Sequence, residues 1–237
     1  MRFAKYPELC QPMKVIITAA TDMEWMPAYT NIHQKYKDDG QGFTVTFHKS
    51  GVGMLVSAVS ITQLVIEEKP DLVIQAGIAG TFNTDTELGL VTAIKEDILG
   101  DTGVEENGVW KDVFDLNLEK QDSPPFTNGR LPNGNFEKYN LLNLQAVTSI
   151  TVNEITTKPE RVALLAEKYN PFIESMEGAA LHYVCGKYNV PYIQIRSISN
   201  HIGERNKANW KMKDAIINLN NTLLEYVERL HVVSRML

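Results

Sequence analysis

The chain lacks most of what a disulfide scaffold, a metal centre or a membrane protein would need. It has two cysteines, Cys10 and Cys185, in 237 residues, and two give neither a disulfide framework nor a metal cluster. Cys185 lies in an apolar helical run and reads as a packed thiol. No apolar run reaches the roughly 18 residues of a membrane span. The segment from Met1 to Tyr6 lacks the apolar core of a signal peptide, so a reduced, cytoplasmic setting is expected. Positive charge is also in short supply. A net charge of −6 argues against nucleic acid or an anionic membrane as the main partner. There is no internal repeat, no low-complexity tract and no linker rich in Pro, Gly or Ser. One domain is therefore expected over residues 13–237, preceded by an N-terminal extension over 1–12, with Met13 as an alternative start. His182 and His201 have no partners at metal-ligand spacing, and no Ser/His/Asp or Cys/His arrangement is visible. No metal and no cofactor is expected.

What is present is an alternation of strands and helices. Lys14 to Ala19 is a β-branched run, a buried strand by its composition. Ala20 to Trp25 reads as a strand-to-helix turn capped by Thr21 or Asp22. Phe43 to His48 alternates as a strand. Met54 to Glu68 is helical, with Leu55, Ala58, Ile61, Thr62 and Val65 at helical spacing. Asp71 to Gln75, Leu90 to Ile94 and Ala146 to Val152 are further strands. Lys158 to Tyr169 is a helix capped by Thr156 or Thr157, and Asn206 to Leu230 is the last, with Ile216, Leu219, Leu223, Tyr226, Val227 and Leu230 inward. The segment from Gly100 to Gly134, rich in Asp, Asn, Gly and Pro, reads as a long excursion. Trp110, Phe114 and Phe126 within it are candidate interface or lid aromatics, or are buried in the same subunit. The class is α/β, a single domain with a central mixed, largely parallel sheet flanked by helices.

Polar residues gather where these elements end. Ser50 to Gly53 and Gly77 to Gly80 read as small-residue turns whose amides suit an anion or a hydroxyl, or as tight turns alone. Glu24, Glu174 and Glu177 come from the ends of different elements. Glu177, beside Met176 and three small residues, is an unusual carboxylate that wants a partner, or it offsets a helix N-terminus. Glu24 is either a site residue or an exposed first-turn acid, and Glu174 is read as a surface acid. Arg196 ends the apolar run Ile193 to Ile195, so it wants a carboxylate or a ligand. Asn200 carries a donor and an acceptor. It suits a ring with a carbonyl beside a ring nitrogen, or else it closes an Asx turn.

Taken in order, Glu24 after a strand, Ser50-Gly51-Val52-Gly53, Gly77-Ile78-Ala79-Gly80, Met176-Glu177-Gly178-Ala179-Ala180 and Arg196-Ser197-Ile198-Ser199-Asn200 resemble the nucleoside phosphorylase and nucleosidase superfamily. Each motif alone is unspecific, but five in this order, over about residues 13 to 235, are specific. The resemblance implies a purine nucleoside as ligand. It implies Glu24 as the base for water, Glu177 on the ribose hydroxyls and Asn200 on the purine. It also puts Ala79, Gly80, Val152, Asn153, Met176, Arg196 and Ser199 around the substrate, and implies a homodimer or higher homo-oligomer. The run Glu174 to Ala180 and the segment Ser199 to Lys207 resemble the futalosine hydrolase branch, which releases hypoxanthine. The methylthioadenosine/S-adenosylhomocysteine nucleosidase branch has Asp where this chain has Asn200, and Ser where it has Ile78. An amide cannot protonate adenine but can meet a 6-oxo group. No Arg or Lys follows the first strand to hold phosphate, which favours hydrolysis.

Overall fold

The computed structural model describes residues 13–37 and 42–235. The expected extension over 1–12, with Cys10, lies outside them. Along the chain run β1 (Met13–Ala19), a 3-10 turn (Asp22–Glu24), α1 (Met26–Tyr36), β2 (Phe43–Lys49), α2 (Met54–Glu68), β3 (Leu72–Thr81) and β4 (Val91–Leu99). There follow β5 (Gly103–Glu106), β6 (Val109–Asp112), β7 (Leu131–Pro132), α3 (Phe136–Tyr139), β8 (Gln145–Thr151) and α4 (Pro159–Tyr169). The last elements are β9 (Ile173–Ser175), α5 (Gly178–Tyr188), β10 (Tyr192–His201), a 3-10 turn (Lys207–Asn209) and α6 (Met212–Ser234).

The sheet is mixed and largely parallel. β2, β1, β3 and β10 run parallel side by side. β10 is antiparallel to β4, β4 is parallel to β8, and β8 is parallel to β9. β9 then returns antiparallel to the end of β3, so five strands close into a circuit. Both faces are covered, which is why the strands are apolar without alternation. Val15, Ile17, Ile74 and Ile193 pack with Ala28, Ile32, Leu219 and Leu223 of α1 and α6. Ile16, Val73 and Tyr192 pack with Ile61, Leu64, Leu181 and Cys185 of α2 and α5. Burial pushes the Cys185 thiol pKa far up, as a packed thiol requires.

Several expectations are corrected. Gly77 to Gly80 is not a turn, because β3 continues through it to Thr81. The glycine is there for space: a Cβ on Gly77 would sit 2.0 Å from Nη1 of Arg196. Leu55 does not face inward; it is 75% exposed, and the buried stripe of α2 is Ser57, Ile61, Leu64 and Val65. Lys158, not Thr156 or Thr157, occupies the cap of α4, and α6 begins at Met212.

The segment from 100 to 134 docks on its own subunit, and its aromatics are buried there. Trp110, Phe114 and Phe126 are buried. The Trp110 indole donates to the Tyr169 hydroxyl at 2.9 Å, and that hydroxyl donates to Asp112 at 2.9 Å. The Arg161 guanidinium lies 3.7 Å over the Trp110 ring. Phe114 and Phe126 meet edge to face at 5.1 Å. Each buried ring stabilises by about 1.5–3 kcal/mol, enough to hold a chain whose composition alone reads as loop.

Beneath α5 lies a buried polar pair. Asp97 on β4 accepts from Thr151 Oγ1 and from the Ile98 amide, both at 2.8 Å, and burial pushes its pKa up to about 6. His182 on α5 donates from Nδ1 to the Leu131 carbonyl at 2.8 Å, and burial pushes its pKa down to about 4. Between those values the folded chain carries neutral Asp97 and neutral His182, whereas the unfolded chain carries both ionised. The proton count is then equal, and the pair together adds no slope of stability with pH. Each single substitution should expose one half. Asp97→Asn leaves His182, and stability should rise from pH 4 to 6.5 at up to about 1.4 kcal/mol per pH unit. His182→Asn leaves Asp97, and stability should fall with pH from 3.8 to 6. Urea melts across this range measure both slopes, and parallel curves for the two variants would refute the account.

Candidate active site

The site forms where the parallel strands β1, β3 and β10 end, outside their carboxyl ends, as in other α/β sheets. After β1, Thr21 begins the 3-10 turn. Its amide and hydroxyl donate to Oε2 of Glu24 at 2.9 and 3.2 Å. The Ile78 amide of β3 donates to Oε1 of the same carboxylate at 3.3 Å. Glu24 is thus buried, 7% exposed, not an exposed first-turn acid. Burial raises its pKa, against the pull of the Arg196 charge and these backbone bonds.

Arg196 is the hub. It is 1% exposed and must find partners, since an isolated buried charge costs several kcal/mol. Nη2 donates to Gln75 Oε1 at 3.0 Å, and Nη1 reaches the Ile78 carbonyl at 3.4 Å. Nη1 also faces Glu177 Oε2 at 3.6 Å. The other oxygen of Glu177 accepts from the Gly53 amide at 3.1 Å. Gly53 has φ +91, a conformation that glycine adopts without strain. The Ser50 to Gly53 turn therefore does hold an anion, and that anion is the chain's own Glu177.

Asn200 owes its aim to a bulge. The β10–β3 register pairs Ile198 with Ala79 and then Asn200 with Gly80, so Ser199 is the extra residue and the strand end is turned. The amide orientation follows from its neighbours. Nδ2 donates to the His201 carbonyl at 3.0 Å, and Oδ1 accepts from Ser199 Oγ at 2.8 Å. The reverse orientation would set two acceptors against each other. One N–H and one oxygen lone pair remain for a ligand.

These groups line one cleft of about 420 Å³, together with Ala79, Gly80, Met176 and Ser199. Arg196 stands behind it and supports the carboxylates. Two sequence expectations fail here. Val152 is buried among Ile98, Trp110 and Leu165, and Asn153 is exposed and bonded to Asp101; neither lines the cleft, because β8 ends one strand too far away. Ile155 and Thr156 line it instead. Glu174 is not a surface acid. It is 7% exposed, lines the cleft and accepts from the Thr156 amide at 3.0 Å, and burial raises its pKa.

Two positioning residues escaped the sequence reading. Gln75 carries Arg196, and its Nε2 reaches the Glu177 carbonyl at 3.4 Å. A glutamine inside the run Leu72 to Ala76 was the signal. Asn220 on α6 donates to the Glu24 carbonyl at 2.9 Å and accepts from the Ala28 amide at 2.9 Å. It lies on the inward stripe with Ile216 and Leu223, where an amide is out of place without a task. Among the described residues, no group of His, Cys, Asp and Glu is arranged to hold a metal ion.

A sheet-end cleft with three buried carboxylates, a strand-end amide and glycine backbone at its wall defines a small-ligand site of a known class. A family model described as the Phosphorylase superfamily matches residues 19–230, and the chain belongs to that family. A futalosine hydrolase of Thermus thermophilus is 25% identical over 183 residues, covering 75% of this chain and 77% of the relative. A 5′-methylthioadenosine/S-adenosylhomocysteine nucleosidase of Bacillus cereus is 29% identical over 206 residues, covering 80% and 83%. In solved structures, the adenine complex of such a nucleosidase from Colwellia psychrerythraea has a TM-score of 0.72 at 21% identity, covering 93% of this chain and 96% of that one. Futalosine hydrolase of Helicobacter pylori has a TM-score of 0.68 at 16% identity, covering 95% and 98%. The fold is that of these nucleosidases.

Removing the Asn220 amide takes this donor from the buried Glu24 carbonyl and leaves the Ala28 amide with the Trp25 carbonyl alone, at 3.1 Å. Asn220→Ala should cost on the order of 2 kcal/mol in denaturant unfolding, and an unchanged midpoint would show that the Glu24 turn does not rest on α6.

Proposed function

We propose that the protein is a hydrolase of the N-glycosidic bond of purine nucleosides, with futalosine as substrate and hypoxanthine as the released base, a step of a futalosine route to menaquinone. In this reading the purine lies at Asn200 beside Gly80, and the ribose lies at Met176 with its hydroxyls on Glu177. Water attacks the anomeric carbon. Cleavage passes through an oxocarbenium-like state, as in glycoside hydrolysis. Glu24 takes the proton from water as the bond to the base breaks, and its burial moves it towards the range a general base needs. The electron pair of the broken bond goes to the purine, where a 6-oxo group spreads the charge.

The observation that carries the choice of base is Asn200. Its free N–H can donate to N7 or to the 6-oxo group, but it has no acidic proton with which to help adenine leave. Among the described residues, no free cation stands around the reacting end, which supports water over phosphate. Lys49 is paired with Asp22 at 3.2 Å, and Arg196 is engaged with Gln75 and Glu177. The second reading, a methylthioadenosine/S-adenosylhomocysteine-type or inosine nucleosidase, draws support from the Bacillus relative, whose identity to this chain is the higher of the two sequence relatives compared above. A reading of another class is a nucleoside-binding module without catalysis. No described helix is long and apolar enough to cross a membrane, and we propose a cytoplasmic site of action.

The purine released from futalosine, inosine and methylthioadenosine, measured with and without phosphate, tests the assignment. Hypoxanthine from futalosine, with no dependence on phosphate, is expected. Equal turnover of inosine, or preferred release of adenine, refutes the futalosine assignment. Tight binding without release of any base refutes the enzyme. Glu24 must be ionised to act, so kcat/KM should fall as pH drops through its raised pKa, an acidic limb above the ordinary glutamate range. Glu24→Gln should lose about 10²–10⁴ in kcat and abolish that limb.

We also propose a homodimer through the outer face of α2. Val52, Leu55, Val56, Val59 and Ile66 are all more than half exposed and form one apolar stripe. Val52 also lines the cleft, so a second copy on this stripe would border the site. Leu55→Asp should convert two-chain particles to single chains in light scattering, and an unchanged mass would exclude this face.

A further inference from the structure

Behind the cleft, under the start of α5, stands a buried polar group that the chemistry above leaves unused: Asp97, Gln194 and His182. A bulge brings them together. The β4–β8 register pairs Ile94 with Val147 and then Glu96 with Thr148. Lys95 is thus the extra residue, and Asp97 is turned to the face that carries Gln194 and Arg196. Gly178 makes the room, since a Cβ there would stand 2.2 Å from Asp97 Oδ2 and 2.5 Å from Gln194 Nε2. Gln194 also lies against His182, where burial pushes the ring pKa down to about 4 and the amide pulls it back. Among the described residues, Asp97 Oδ2, both amide atoms of Gln194 and His182 Nε2 have no hydrogen-bond partner. Orphaned atoms gathered at one buried point demand a cause, and these can satisfy one another.

Bond polarity fixes the order. The Leu131 carbonyl only accepts, so His182 carries its hydrogen on Nδ1, and Nε2 of the neutral ring is an acceptor. The Gln194 amide then gives an N–H to Nε2 and turns Oε1 to Asp97. Asp97 Oδ1 already accepts from Thr151 and from the Ile98 amide, so Oδ2 supplies the hydrogen. The reverse order needs an ionised Asp97 and a cationic His182, two charges in a dry core. Burial opposes both, and it raises the Asp97 pKa against the bonds from Thr151, Ser149 and Ile98 and the charge of Arg196. Glu96 on β4 and Arg196 on β10 are the charges that face His182, and they act on it in opposite directions. Burial also keeps the Tyr192 phenol and the Cys185 thiol neutral.

The other end of this chain reaches the site. The Thr151 hydroxyl that donates to Asp97 accepts from the Ala179 amide at 2.8 Å, and Ser175 Oγ accepts from the Gly178 amide at 3.3 Å. These side chains hold the first amides of α5. The cap residue, Glu177, makes no side-chain cap and turns instead to Gly53 and Arg196.

We propose that protonated Asp97 is a positioning residue of the site: tied to Gln194 and His182 on one side and to Thr151 on the other, it fixes the first turn of α5 and with it the aim of Glu177. This inference rests on the nucleosidase reading, in which Glu177 holds the ribose hydroxyls.

The test compares Asp97→Asn with Asp97→Leu in futalosine hydrolysis. Asparagine keeps the chain, with Oδ1 accepting from Thr151 and Nδ2 donating to Gln194; leucine keeps the volume and breaks it. At about pH 5.5, where Asp97 with its pKa of about 6 holds its proton, Asp97→Asn should match the wild type. Asp97→Leu should raise KM about tenfold, the size of one lost hydrogen bond, with kcat changed less than about twofold. Above pH 6 the wild type loses this donor, and its KM should climb several-fold over that of Asp97→Asn. Nitrogen NMR at about pH 5.5 should show His182 as a neutral ring with hydrogen on Nδ1 and Nε2 accepting. An imidazolium signal overturns the proposal. Equal KM for Asp97→Asn and a folded Asp97→Leu overturns it and leaves the nucleosidase standing. If Asp97→Leu does not fold, equal KM for the wild type and Asp97→Asn at every pH overturns it instead. A neutral, accepting His182 in a protein that hydrolyses no nucleoside keeps the hydrogen-bond chain and overturns the reading on which the role of Glu177 rests.

Discussion

A buried guanidinium sets the terms for this site. Arg196 has almost no contact with solvent, and taking that charge out of water is costly unless every arm of the fork is met. The surrounding sequence meets the two terminal nitrogens and leaves Nε without a partner. Gln75 supplies a carbonyl oxygen from the neighbouring strand, Ile78 supplies a backbone carbonyl, and Glu177 supplies the counter-charge. Gly77 supplies nothing, and that is its contribution. Any Cβ there would fall on Nη1 and crowd Glu24 Oε1 at 3.0 Å. The parallel pairing of β3 with β10 puts Gly77 opposite Arg196, so the glycine is a consequence of register. From this hub the two carboxylates diverge. Glu177 is pulled between Arg196 and the Gly53 amide, while Glu24 is tied to backbone and pushed up in pKa by burial. Two glutamates of the same chemistry thereby acquire different environments, which is how one cleft can hold both a hydroxyl acceptor and a base.

The fold class was legible because it rests on long-range periodicity, which single residues do not disturb. The runs Val15 to Ala19 and Ile193 to Ile195 are buried on both faces, and both faces are covered. Failures came where two elements meet. Gly77 to Gly80 reads as a turn because glycine punctuates most chains, yet here it marks a close approach inside a strand. The excursion from 100 to 134 reads as loop because Asp, Asn and Gly dominate it, yet Trp110 and Phe126 anchor it. Ile61 and Val65 are buried as their spacing predicts, but Leu55 at the same spacing is exposed, and Ser57 and Leu64 complete the stripe. A helical pattern gives a period and leaves the phase open when a helix is apolar on more than one side.

Within the site, residues whose type is unusual for their position were found, and residues whose position alone matters were not. A glutamate beside three small residues, or an arginine ending an apolar strand, announces a task. Asn220 and Gln75 announce themselves as plainly in retrospect, as amides among Leu and Ile, but they touch no ligand site in sequence and become meaningful only when α6 meets the Glu24 turn. Val152 and Asn153 fail for the opposite reason. Nothing in their chemistry is wrong for a base, but β8 lies across β9 from β3, and the wall next to Glu174 is made by Ile155 and Thr156 instead.

Asn200 shows why the base is the hardest part to read. An amide can present either a donor or an acceptor at a given point, so its identity alone leaves the ligand open. Three features remove the ambiguity. The bulge at Ser199 turns the side chain towards the cleft, the His201 carbonyl claims one N–H, and the Ser199 hydroxyl claims one lone pair. What is left over faces the ligand as one donor beside one acceptor. A 6-oxopurine nucleoside offers N7 and O6 as adjacent acceptors for that N–H, and no proton has to be transferred to hold it. A 6-aminopurine would match both groups through N7 and its amino N–H, but at the moment of bond cleavage it would find no acid. The specificity argument therefore rests on the shape of one strand end, and the sequence contains it only as the spacing between Ile198 and Asn200.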